Sequence, residues 1–226
     1  MSIPELFARG GIAMWPLLFL SILALGTIIE RIWFWSRILT REREVAGRVL
    51  EAARRDWAAA TDLAQRAIIL PMGRFFYSGL KLHDPDPEVF RLALETSANE
   101  ELYSMRKGEK ILEAVIALAP LLGLFGTVSG LIRSLGSISL ADLGRGDATA
   151  GTSLGIAEAL ISTATGLVIA ITTLAFYRLF QGFVFGQAKV FRQAGSELEL
   201  LYRQDWAKQS RPVNSTPISS SEVKPL

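Results

Sequence analysis

Apolar residues gather in three long runs, and polar residues fill the intervals between them. Gly11 to Ile29 (GIAMWPLLFLSILALGTII) holds no charged residue and stops abruptly at Glu30-Arg31. Leu112 to Ile132 contains one charge, Glu113, and Ala148 to Tyr177 contains one, Glu158. A helix needs roughly 20 apolar residues to cross a bilayer, and backbone in lipid must satisfy its own hydrogen bonds. Each run therefore predicts a transmembrane helix. The alternative is a soluble bundle with three buried helices, but buried soluble helices seldom run this long without charge. The first run is too long for the h-region of a cleavable signal peptide and continues into an amphipathic Arg/Glu segment. It predicts a permanent anchor.

The intervals read as helical too. Arg41 to Ala67 mixes good helix formers with charged faces. Pro71 and the cluster His83-Asp84-Pro85-Asp86-Pro87 break that pattern. Helical composition resumes at Glu88 and reaches Arg106, with Gly108 the single interruption before the second run. The third run continues as helix to about residue 209, and the Ser/Pro-rich tail Ser210–Leu226 predicts disorder. The fold class is all-α: a polytopic membrane protein with three transmembrane helices, spans two and three extending into the cytoplasm. The expected division is a periplasmic N-terminus at 1–10, spans at 11–29, 112–132 and 153–177, and a periplasmic loop at 133–152. A cytoplasmic helical domain at 30–111, a cytoplasmic helix at 178–209 and the tail at 210–226 complete it.

Charge sets the orientation. Of the 24 Lys and Arg residues, 14 lie in Glu30–Lys110 and 7 from Arg178 onward. The N-terminus has Arg9, and the loop after span two has Arg133 and Arg145. The positive-inside tendency places the N-terminus outside, and the large first interval and the C-terminus inside. Half of the 226 residues are hydrophobic and 20% are charged, with a mean hydropathy of +0.31, a composition that excludes a disordered chain. With no cysteine and one histidine, His83, thiolate metal sites, HExxH zincins and most Ser-His-Asp triads are excluded. A net charge of +2 is no argument for nucleic acid. No cofactor or metal is expected.

Glu158 is the leading candidate for chemistry, because an ionisable group within a span usually faces a partner or a water-filled cavity. At 100° per residue, Ser162, Thr165, Thr172 and Thr173 fall within about 60° of it on the same face, over roughly 22 Å. Such a stripe could line a proton or ion path, and burial would raise the carboxyl pKa. Alternatively, Glu158 lies just after Thr152-Ser153 and stabilises the start of its own helix through the macrodipole. The hydroxyls could equally bond the i−4 carbonyls. Small-residue spacing is a second signal, in Gly126-x-x-x-Gly130, Gly151-x-x-x-Gly155 and Gly182-x-x-x-Gly186. It predicts close helix packing or oligomerisation, with Gly123, Gly126 and Gly130 on one side of span two. Pro120 can kink that span. Catalytic motifs are missing: Gly126-Thr-Val-Ser-Gly130 does not fit G-x-S-x-G, since Thr127 stands where glycine is needed. Packing glycines around two hydroxyls is the simpler reading, and an enzyme is not expected.

Two segments closely resemble the signatures of the MotA/TolQ/ExbB proton-channel family, in its ExbB/TolQ branch. They are Ala119-Pro-Leu-Leu-Gly-Leu-Phe-Gly-Thr-Val-Ser-Gly130 and Gly155-Ile-Ala-Glu-Ala-Leu-Ile-Ser-Thr-Ala-Thr-Gly-Leu-Val-Ile-Ala-Ile171. Gly10-Gly-Ile-Ala-Met-Trp-Pro16 and Glu30-Arg31 are similar to the same branch, and the resemblance covers roughly residues 10–180. It implies a homo-oligomer, a pentamer in the bacterial inner membrane, around the single spans of a dimeric ExbD- or TolR-like partner carrying an intramembrane aspartate. Proton flow would energise outer-membrane transport through a TonB-like protein. A TolQ-type motor for envelope maintenance, or a non-conducting scaffold for a single-span partner, is the alternative. Carried over residue by residue, the functional positions fall on Thr127, Glu158 and Thr163, with Ser162 and Thr165 added by the polar stripe. Thr163 lies about 140° from Glu158 on an ideal helix and so faces elsewhere. One departure is Thr172-Thr173, standing where the family commonly has a proline.

Overall fold

The computed structural model describes residues 10–136 and 147–209, and these form six α-helices. The N-terminal nine residues, part of the loop after span two and the tail expected to be disordered lie outside the described residues.

Helix α1 (Met14–Ala53) starts behind Gly11, whose carbonyl accepts the Met14 amide at 3.2 Å. It runs 40 residues without a break through Glu30-Arg31, so the first apolar run and the charged segment after it are one helix. The single helix expected over 41–67 is instead divided at Asp56. That residue is extended, and its carboxylate accepts the Ala58 amide at 2.9 Å, capping α2 (Trp57–Arg66). A side-chain acceptor for the first amides favours a fresh helix start over continuation. Pro71 opens α3 (Pro71–Leu80), where its missing N–H costs nothing. Asp86 accepts the Glu88 amide at 2.9 Å at the start of α4 (Pro87–Met105). Gly108, at φ +85°, turns the chain into α5 (Glu109–Gly136), which contains Pro120. Helix α6 (Asp147–Gln209) is continuous over 63 residues, about 95 Å at 1.5 Å per residue. By length and composition, α1, α5 and α6 are each able to cross a membrane.

The chain forms two compact units, residues 1–41 with 100–189 and residues 42–99 with 190–226. In the first, the buried face of α5 is Leu112, Val115, Ala119, Gly123, Gly126, Gly130 and Ser134. Steps of three or four residues keep that face on one side of a helix. A Cβ on Gly166 would lie 2.5 Å from the Ala119 carbonyl oxygen, and one on Gly130 2.7 Å from that of Gly155. The pairing order shows that α5 and α6 run antiparallel, backbone against backbone. Small residues allow this approach, so contact is made by dispersion between main chains. Met14, Leu17, Leu20 and Ala24 of α1 complete the cluster with Val115, Ala119 and Ala170. Outward, Phe19, Ile22, Phe125, Ile132, Val168 and Ile171 are exposed apolar side chains, as a lipid-facing surface requires.

In the second unit, Phe75 packs against Phe76 and Phe191 at ring separations of 5.2 and 5.0 Å. Glu42, fully buried, accepts the Met72 amide at 3.2 Å near the start of α3. Arg54 bonds Glu197 at 2.6 Å, and Arg203 bonds Glu88 at 2.8 Å. Arg203 and Arg91 together hold the Glu88 carboxyl below its ordinary value.

Glycines of the same helix thus differ in surroundings. A Cβ at Gly186 would meet nothing within 4 Å, unlike one at Gly166. Gly166→Ala should lower the thermal midpoint in detergent, by about 1–3 kcal/mol of overpacking. Gly186→Ala should leave it unchanged or raise it, since alanine favours the helix by about 1 kcal/mol. Equal responses in circular-dichroism melts would contradict the backbone contact.

Candidate functional site

Glu158 lies about three turns into α6, well past the first turn in which a helix's own macrodipole acts. Its side chain is 13% exposed, and Oε2 accepts a hydrogen bond from Arg133 Nη1 at 3.0 Å. Arg133 is in the last turn of α5, where a cation suits the helix's carbonyl end. The other carboxylate oxygen rests against Gly11. A Cβ there would sit 1.5 Å from Oε1, and the φ of +67° is itself a glycine conformation. The carboxylate is therefore enclosed by three elements: the turn opening α1, the end of α5 and the body of α6. Gly11, the residue it abuts, lies three positions before the first residue of α1.

The hydroxyls divide into two groups. Ser162, fully buried, donates to the Ala159 carbonyl at 2.9 Å and approaches the Gly123 carbonyl at 3.4 Å. Thr163 donates to the same Gly123 oxygen at 3.0 Å. Both residues therefore stand on the seam between α5 and α6, and Thr163 bonds across it within one chain. Thr127, Thr165 and Thr173 donate to Leu124, Ile161 and Ile169 at 2.6, 2.8 and 2.7 Å, each on its own helix. Thr172 is exposed. A hydroxyl committed as donor keeps lone pairs as acceptors, so these groups can receive a proton or cation but must rotate to pass one on. Ser129 likewise donates to the Gly126 carbonyl, at 3.1 Å, a packing arrangement.

Gly123, Gly126, Gly130 and Gly155 are all buried in the seam, and a Cβ on Gly126 would fall 2.2 Å from Ser162 Oγ. Pro120 is half-buried within α5. Gly182 and Gly186 are exposed and stand apart from this packing.

A second polar layer had only faint signals in the sequence. Arg31 is 3% exposed; it donates to the Met105 carbonyl at 3.2 Å and to Glu30 through Nε and Nη2 at 3.2 and 2.9 Å. It thereby satisfies a carbonyl at the end of α4. Tyr177 donates to the Glu113 carboxylate and accepts from Gln181 Nε2 at 2.8 Å. Glu113, one charge at the edge of an apolar run, was the visible clue; its partner 64 residues on was not.

The sequence pattern of the MotA/TolQ/ExbB proton channel family matches residues 67–193, more than half of the chain. The chain belongs to that family. It is 45% identical to ExbB-like protein 1 of Synechocystis sp. over 97% of its own length and 86% of the relative's. The biopolymer transport protein ExbB of Pseudomonas putida is 34% identical over 45% of this chain and 30% of its own. The Tol-Pal system protein TolQ of Haemophilus influenzae is 36% identical over 45% of each. This is a membrane protein of a proton-channel family, and Glu158 lies inside the matched region.

Gly11 and Glu158 should be coupled. Gly11→Ala adds about 1–2 kcal/mol of left-handed backbone strain and a clash with Oε1. Glu158→Ala relieves the clash but not the strain, so the double variant should be less destabilised than the sum of the singles. Thermal midpoints of the four proteins in detergent test this; simple additivity would separate the two residues.

Proposed function

We propose that this chain is the proton-conducting subunit of an ExbB-type energy transducer in the bacterial inner membrane, coupling proton flow to energisation of TonB-dependent outer-membrane transport. The observation that carries the reading is Glu158, a carboxylate 13% exposed in a helix able to cross a membrane, held by one guanidinium and a glycine turn. Burial of a carboxylate in a span is costly and is kept where charge or protons must be handled. Glu158 would accept a proton arriving from the periplasmic side. Neutralising it would weaken the Arg133 bond and loosen the end of α5 from α6. Thr127 and Thr165 offer acceptor lone pairs along the route. Ser162 and Thr163 act differently, holding the seam through the Gly123 carbonyl.

The apolar outer faces of α1, α5 and α6 support assembly, and a pentamer enclosing the spans of an ExbD- or TolR-like partner would cover part of them. The partner's intramembrane aspartate would complete the proton route. The charge distribution supports an N-terminus in the periplasm and a C-terminus in the cytoplasm. Near full-length similarity to an ExbB-like protein supports the ExbB system, while the matches to ExbB of Pseudomonas putida and to TolQ of Haemophilus influenzae cover the same 45% of the chain.

Glu158→Gln keeps shape and removes the titratable group. It should abolish proton-driven function in cells while native mass spectrometry shows the same oligomer and partner. Retained function would sink the proton role. Loss of function together with loss of assembly would favour a scaffold, in which Glu158 only holds helices together.

A further inference from the structure

Helix α1 leaves its apolar run through a segment of one charge sign. Between Glu30 and Glu42 the sequence RIWFWSRILTR holds three arginines and no acidic residue. Arg31 turns inward, where it is buried and bound to the Met105 carbonyl and to Glu30. Arg37 turns outward. It is exposed, and its guanidinium carbon lies 3.7 Å from the centre of the Trp33 ring, one helical turn back. Trp33 is itself 61% exposed. Among the described residues, neither Arg37 nor the exposed Arg41 forms an ion pair. Stacking engages the face of a guanidinium and leaves its N–H groups, which point outward in its plane, able to donate.

The order of these groups along the helix narrows the occupant. Ile29, an exposed apolar residue, precedes Trp33 and Arg37 at intervals of four. Such steps keep the three within about 80° of one another over roughly 12 Å. An apolar side chain, an indole and a guanidinium thus succeed one another away from the span. A phospholipid presents its acyl chain, its glycerol esters and its phosphate in the same order. Tryptophan rings settle at headgroup level, and anionic leaflets attract arginine. No carboxylate stands within one turn of Arg37 to receive a headgroup ammonium, so an anionic lipid is favoured over a zwitterionic one. A free phosphate would leave Ile29 and Trp33 without a role. We propose that Trp33 and Arg37 bind the phosphate headgroup of one anionic phospholipid, whose acyl chain lies against Ile29. The site requires α1 to cross a membrane and does not depend on the proton route.

The test uses the full chain, labelled with 5-fluorotryptophan, in phosphatidylcholine bicelles, followed by fluorine NMR. The probes are phosphatidylglycerol and phosphatidylcholine carrying a 5-doxyl acyl chain, and Trp33→Phe assigns the reporting signal. Labelled phosphatidylglycerol should broaden the Trp33 signal at about one fifth of the mole fraction that labelled phosphatidylcholine needs, as one juxtamembrane arginine provides. Arg37→Gln should remove that preference and Arg37→Lys should keep part of it. Arg192→Gln, an equal loss of charge in the second unit, should leave it intact. Equal broadening by the two lipids, or an unchanged preference in Arg37→Gln, would overturn the proposal. Loss of the preference on adding inorganic phosphate, against chloride of equal ionic strength, would overturn it too, marking a free-anion site. So would a changed oligomer mass in Arg37→Gln, because another copy of the chain would then cover this face.

Discussion

Close contact between the backbones of α5 and α6 is the constraint on which the membrane unit depends. In lipid, apolar side chains gain little by meeting one another, because the surrounding tails are as apolar as they are. What remains is packing at short range and hydrogen bonding. Gly123, Gly130, Gly155 and Gly166 remove the side chains that would hold the helices apart, and Thr163 closes the gap with a bond to the Gly123 carbonyl. The seam also sets the register that brings Arg133, at the end of one helix, beside Glu158 on the other.

That register gives the site its character. Glu158 is held by a guanidinium on one oxygen and faces a glycine turn with the other. The guanidinium comes from the last turn of α5 and the glycine from the turn before α1, so the carboxylate of α6 ties three elements together. A carboxylate enclosed by one helix alone could titrate without consequence for packing. Here the charged pair and the glycine seam lie on the same two helices, α5 and α6, so the contacts of the carboxylate and the packing of the helices are joined.

The two units meet different demands. The membrane unit has a thin core of small residues and a wide apolar exterior, whereas the other buries Phe75, Phe76, Phe90 and Phe191. Large rings bury much area per residue and suit a core formed in water. Tight seams suit a setting where area burial counts for little. Helices α1, α4 and α6 contribute residues to both units, so each long helix changes its packing chemistry along its length.

The three apolar runs, the all-helical class and the family were legible in the chain, because hydropathy over some 20 residues and short Gly-rich signatures are local properties. Glu158 was visible too, as a lone charge in an apolar run. Gly11 was visible only as part of a motif, and its role as the wall against Glu158 was not, since the two are 147 positions apart. Periodicity put Ser162 on the Glu158 face, yet its hydroxyl is buried against α5. An ideal helical wheel gives directions but no neighbours. The break at Asp56 was missed because its neighbours are good helix formers and a single cap decided the outcome. Sequence by itself determined the all-helical class and which runs can enter a membrane, for these follow from neighbouring residues. Tertiary structure alone decided which carbonyl each hydroxyl meets and which cation holds Glu158, because those depend on how distant backbones come together.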